Sequence, residues 1–183
     1  MIYPIYVHGS PVLNKATKEI PAIDPEVKRL VGDMFETMYA ANGVGLAAPQ
    51  IGKSVRLFVV DATPYADDPE LAALKKAFIN AEIYEQSEER VTMEEGCLSF
   101  PKLYENVNRP AAIKIRYTDE NGVEHDDEYK GMGARIVQHE YDHIEGIVFV
   151  DHLSPLRKTL LKSKLNNFVK GKFSASYKCK IPK

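Results

Sequence analysis

Apolar residues recur at three- and four-residue spacing in Val27, Leu30, Val31, Met34 and Met38, directly after Asp24-Pro25-Glu26. That spacing puts one apolar stripe on a helix, with Asp24 as N-cap and Pro25 at the first helical position. Asn42-Gly43 ends it. The following stretch, GVGLAAPQIG at 43–52, is too rich in glycine for a helix interior and too apolar for an exposed loop. It predicts backbone approached closely by another group. A short strand is expected at 55–60, then a polar, proline-bearing surface excursion at 61–76 with one or two helical turns and no chemistry.

Further strands are expected at 78–86 and 90–100, and 113–118 alternates cleanly before Asn121-Gly122, a strong hairpin signal. A helix is expected from about 131 to 144, opened by Gly131 and Gly133 and capped by Gly146. A last helix runs from 155 to about 169, with Leu156, Leu160, Leu161, Leu165 and Phe168 on its apolar face. Strands dominate the first part and helices flank the end, so the fold class is α+β with antiparallel sheet. No repeat or low-complexity segment interrupts 1–183, which is expected to form a single domain.

The chain has 183 residues, enough to bury roughly 70% of its unfolded surface without a disulfide or structural metal. Apolar residues make up 44% and charged residues 27%, and no apolar run reaches the ~18 residues of a membrane span, so no membrane partner is expected. The start, MIYPIYVHGSPVLN, lacks the basic leader and apolar core of a secretory signal, which makes the cytoplasm the expected location. The net charge of −2 conceals an asymmetry: 152–183 carries nine Lys/Arg and no acid. This basic segment is either a solvated helix face or a contact for something anionic; a sequence-specific nucleic-acid reader is not expected.

The candidate chemistry lies in QHEYDHIEGIVF at 138–149. On a helix His139 and His143 project about 40° apart, so both imidazoles reach one ion, and Glu140 reaches a water on it. Asp142 is either an exposed charge or an acceptor orienting an imidazole. A catalytic site of this kind needs a third protein ligand. The extended pattern with a third histidine at 149 fails, because that residue is Phe149, and a downstream glutamate is ruled out because no acid follows Asp151. Asp151 and His152 lie just past the helix end, and Cys179 lies in the terminal SYKCKIPK. Upstream, Cys97 in MEEGCLSFP is either a small buried core residue or the missing ligand, presented beside Gly96 at a broken strand.

Three segments, GVGLAAPQ (43–50), EGCLS (95–99) and QHEYDH (138–143), together resemble the peptide deformylases, and the resemblance runs from the first helix to 154–156. It implies antiparallel sheets around a central metal-binding helix, and Cys97, His139 and His143 as ligands of one divalent ion. In that family the ion is usually Fe(II), with Zn, Ni or Co as substitutes. It also implies Glu140 as general base and acid for attack by metal-bound water, and Gln50 with the Leu98 N–H as oxyanion donors. Gly45 would face the bound peptide. The substrate would be the N-formylmethionyl end of a nascent polypeptide, with formate released. Val44, Met93 and Ile136 are candidates for the methionine pocket, although each is equally an ordinary core residue. The basic C-terminal segment would then fit a contact with the ribosome. Phe100 and the long 61–76 excursion depart from the family pattern, and no function is carried onto the tail after Lys170, Cys179 included. The competing readings are an endopeptidase and a structural metal or binding module.

Overall fold

The computed structural model describes residues 1–65 and 67–183. The chain opens with strand β1 (Ile5–Tyr6), helix α1 (Pro25–Ala40) and strands β2 (Gly45–Ala47) and β3 (Leu57–Asp61). A short helix α2 (Pro69–Ala72) precedes strands β4 (Lys75–Gln86), β5 (Arg90–Cys97), β6 (Phe100–Pro110), β7 (Ala112–Thr118) and β8 (Glu124–Lys130). Helices α3 (Gly131–Ile144) and α4 (Pro155–Val169) and a terminal strand β9 (Cys179–Lys180) complete the chain. This is the expected α+β class.

Five strands form an antiparallel sheet in the order β2-β3-β4-β7-β8, while β5 and β6 form a separate hairpin and β1 pairs in parallel with β9. Strand β3 reads LFVVD and is buried along its length because both faces of the sheet are covered. Phe58 and Val60 point to α3, where they join Phe78, Ala134, Val137 and Ile144. Leu57 and Val59 point the other way, into a core with Val31, Met34 and Met38 of α1. A third cluster packs Phe100, Leu103 and Val107 of β6 against Phe149, Leu161 and Phe168. The metal-motif helix α3 is thereby sandwiched between the large sheet and the β5–β6 hairpin.

The helix starts hold for the reasons the sequence offers. Asp24 accepts from Val27 N at 2.9 Å, α3 spans 131–144, and Gly146 ends it with φ of 75°. Several expectations need correction. Strand β3 sits at 57–61 rather than 55–60, and β4 begins at Lys75, inside the supposed excursion. Leu71 and Leu74 from that excursion are buried in the α3 core; Ala66, also within it, lies outside the described residues. The strand expected at 90–100 is broken by a turn at Leu98-Ser99. On α4, Leu161 and Phe168 are buried, but Leu156 is 71% and Leu160 65% exposed.

Candidate metal centre

Helix α3 buries His139, Glu140 and His143 because its apolar stripe and its histidines share the side facing the sheet and hairpin. Cys97 comes from the end of β5. There the register shifts, so that Gly96 opposes Tyr104 while Cys97 opposes Phe100. Such a bulge bends the strand and re-aims a side chain. The thiol lands 3.4 Å from His143 Nε2. The ligand atoms of Cys97, His139 and His143 all lie within 4.8 Å of one another. A tetrahedral ion with bonds of about 2.0–2.3 Å holds its ligand atoms roughly 3.3–3.8 Å apart, so small side-chain movements fit the three around one ion. One soft thiolate and two imidazoles are a donor set that such an ion accepts.

The orientation of His139 is fixed from behind. Glu95 Oε1 lies 2.8 Å from His139 Nδ1, which keeps a proton there and leaves Nε2 free for an ion. Glu95 is held in turn by Arg109, whose Nε and Nη2 reach it at 2.7 and 2.9 Å, and by Arg135 Nη1 at 2.7 Å. Burial alone would raise the Glu95 pKa; hydrogen bonds from His139 and Arg109 reverse this and hold the carboxyl far below its usual range. Arg109 also donates to Asp142 at 2.7 Å, and Asp142 contacts His152 at 2.7 Å. Asp142 thus acts as neither an exposed charge nor a direct partner of a metal-binding imidazole, but as the far end of this buried network.

Burial lowers the pKa of both histidines, yet contacts with Cys97 and Glu95 pull His139 well above its ordinary value. His143 is pushed down to about 3 by burial and by the charge on His139. An ion at this position competes with the His139 proton, as metal and proton do for any shared lone pair. Burial pushes Glu140 up to about 7, and its Oε2 is buried without a partner among the described residues. A carboxylate oxygen without a protein partner, beside three converging ligand atoms, suits a group from outside the chain.

The GVGLAAPQIG segment explains itself here. A Cβ on Gly45 would lie 2.5 Å from Glu140 Oε1, so the group that approaches this backbone is the Glu140 side chain. Gln50 accepts from Ala47 N at 2.9 Å through Oε1, and its Nε2 donates to Ser99 Oγ at 3.2 Å and Cys97 Sγ at 3.5 Å. It bonds its neighbours and still borders the cleft.

That cleft, about 700 Å³, reaches Cys97 and His139 and is lined by Val44, Gly45, Gln50, Leu98, Ile136 and Glu140. Its volume is that of a site for a small ligand or peptide end. Met93 does not line it: the residue lies farther along β5, opposite Val107, and Glu95 occupies the inward position nearest the site. Sequence reasoning missed Leu71, Leu103 and Met132, which supply apolar wall, and Ala175, Ser176 and Tyr177 from the tail. It also missed Glu95, Arg109 and Arg135; the paired acids before Gly96 were the only signal for them.

Comparison with known proteins bears on this arrangement directly. Residues 2–159 match the family described as polypeptide deformylase. The peptide deformylase of Christiangramia forsetii is 49% identical over 190 residues, covering 100% of this chain and 97% of that relative. That of Cytophaga hutchinsonii is 50% identical over 182 residues, covering 100% and 98%. The crystal structure of peptide deformylase from Ehrlichia chaffeensis superposes with a TM-score of 0.83 at 34% identity, covering 91% of this chain and 96% of that one. The Thermotoga maritima enzyme superposes with a TM-score of 0.77 at 41% identity, covering 85% and 99%. The chain belongs to the peptide deformylase family, metal-dependent hydrolases that remove the N-formyl group from nascent polypeptides.

Proposed function

We propose that 1–183 works as one catalytic domain in which Cys97, His139 and His143 hold the ion and Glu140, Gln50 and Leu98 carry out deformylation. The observation that supports this most is the convergence of those three ligand atoms beneath a cleft bordered by Glu140 and Gln50. When bound, a divalent cation supplies a Lewis acid that acidifies water and polarises the formyl carbonyl. Glu140 takes the proton of the attacking water and delivers it to the departing methionyl amine, so that formate and a free amino terminus leave together. Burial lifts its pKa to about 7, so both protonation states are within reach and one carboxyl serves as base and then as acid.

Charge accumulates on the formyl oxygen as water adds. Gln50, held by the Oε1 contact to Ala47 N, supplies one donor by exchanging its long Nε2 contact with Cys97 Sγ for the formyl oxygen, and the backbone N–H of Leu98 is the second. Glu95, with Arg109 and Arg135, keeps His139 in the tautomer that presents Nε2. Val44 and Ile136, joined by Leu71 and Met132, form the apolar surface for the methionine side chain.

Fe(II) is the proposed native ion, with Zn, Ni or Co as substitutes, since soft thiolate and imidazole donors accept all of them. The cytoplasm is the proposed location, and among the described residues no helix is long and apolar enough to cross a membrane. The deciding experiment is anaerobic purification with metal analysis, coupled to an assay of formate release from a formyl-methionyl peptide. One equivalent of metal with stoichiometric formate is expected. Cleavage of internal peptide bonds without formate would sink the reading.

A further inference from the structure

The tail after α4 does not fray. Gly171, with φ of 69°, turns the chain back, and Phe173 packs on Phe168 with ring centroids 5.6 Å apart. Lys102 Nζ donates to Ser174 Oγ at 2.7 Å, and Ile5 N and Val7 N donate to the carbonyls of Lys178 and Lys180 at 2.9 and 3.1 Å. Between these anchors Ala175, Ser176 and Tyr177 border the cleft itself. The Tyr177 hydroxyl donates to the carbonyl oxygen of Leu98 at 2.8 Å, across a separation of 79 residues.

Leu98 lies in the two-residue turn between β5 and β6, next to Cys97. A hairpin tip is ordinarily the most mobile part of a sheet. Here both of its carbonyls are pinned by the chain ends: Leu98 O by Tyr177, and Ser99 O by His8 N at 2.9 Å. Gln50 Nε2 holds the Ser99 side chain from the third side. The Leu98 carbonyl shares a peptide plane with the Ser99 N–H, so the Tyr177 bond orients that plane directly; the Leu98 N–H lies in the preceding plane and is restrained through it, between this anchored turn and Cys97 at the end of β5. Burial pushes the Tyr177 hydroxyl far above the ordinary range, so it remains a donor at any working pH.

We infer that Tyr177 is a positioning residue of the active site: its hydroxyl holds the Leu98 turn so that the Leu98 N–H points at the reacting formyl oxygen. The C-terminal tail is then a working wall of the cleft. The inference rests on the oxyanion role given to Leu98 under the proposed function. A donor that stabilises charge only as it develops affects turnover more than ground-state binding.

The test compares full-length wild type, Tyr177→Phe and Tyr177→Leu, purified anaerobically, for metal content, melting temperature, and kcat and KM with a formyl-methionyl tripeptide. Tyr177→Phe keeps the ring and loses only the donor. The expected result is a kcat about tenfold lower with KM changed less than about twofold, and metal content equal to wild type. In the zinc-loaded protein the amide resonance of Leu98 shifts in the same variant, a readout independent of turnover. Wild-type kcat and an unmoved Leu98 amide in Tyr177→Phe, with loss of activity only in Tyr177→Leu, would overturn the inference and leave packing as the whole role. Absence of formate release from wild type would instead overturn the underlying deformylase reading.

Discussion

Glu140 and Cys97 separate two jobs that neighbouring residues share. Glu140 borders the ion site without belonging to its ligand set, and its Oε2 has no partner among the described residues. Glu140→Gln keeps the shape and removes the proton acceptor, so metal content should match wild type while kcat falls by about 10²- to 10⁴-fold. Retained turnover with full metal would remove Glu140 from the chemistry. Cys97→Ala should purify without its ion and inactive, because two imidazoles do not retain a catalytic metal. Cys179→Ala is the control. Cys179 lies on β9, half-buried with its sulfur nearest the Tyr177 carbonyl, and its loss should leave metal and kcat unchanged. At this scale the group that could hold a metal was legible, since spacing supplied His139 and His143 and the three-motif resemblance pointed to Cys97. Glu95 was not legible, because what makes it matter is Arg109 from β6 and Arg135 from α3, which no local pattern places beside it.

Elements were readable where one face is apolar and opaque where it is not. Helices α1, α3 and α4 carry N-caps, glycine stops or apolar stripes, and all three fall within two residues of expectation. Strand β6 buries Glu105 and Arg109 on the same face as Leu103 and Val107, so its alternation is hidden in the sequence. Strand β8, EHDDEYK, has almost no apolar signal and is a strand because β7 pairs with it from Ala112 to Thr118. Its anchor is Asp127, which accepts from Tyr117 at 2.5 Å, Lys76 at 3.0 Å and Tyr129 at 3.1 Å. Burial would raise the Asp127 pKa, but the Tyr117 and Lys76 contacts hold it below its ordinary value. A carboxyl depressed in the folded state stabilises fully above its unfolded pKa of about 3.9, and that stability is lost as pH falls through the lower folded value. Asp127→Asn should therefore cost about 1–2 kcal/mol at pH 7, and the difference from wild type should shrink below about pH 4. Urea unfolding at pH 7 and pH 3 measures it; an equal gap at both values would mean the charge contributes nothing.

At the scale of the whole molecule the charge asymmetry acquires a surface. Arg157, at the start of α4, is spent internally on Glu105, reached at 2.6 and 2.8 Å. Lys158, Lys162 and Lys164 remain exposed, and among the described residues they make no ion pair. Leu156 and Leu160, expected in the core, stand in solvent beside them. A helix that exposes two leucines and three unpaired lysines, attached to an enzyme acting on nascent chains, fits the proposed ribosome contact better than a merely solvated face. The lysines do not line the catalytic cleft, so binding and catalysis are separable. Changing all three to glutamate should leave kcat/KM on a free formyl-methionyl peptide unchanged while weakening co-sedimentation with ribosomes. If the lysines neutralise phosphates, wild-type binding should fall steeply with salt, and removing one such lysine should reduce the log–log slope by about 0.7–0.9. Co-sedimentation of the triple variant equal to wild type at every salt concentration would assign the basic segment to solvation alone.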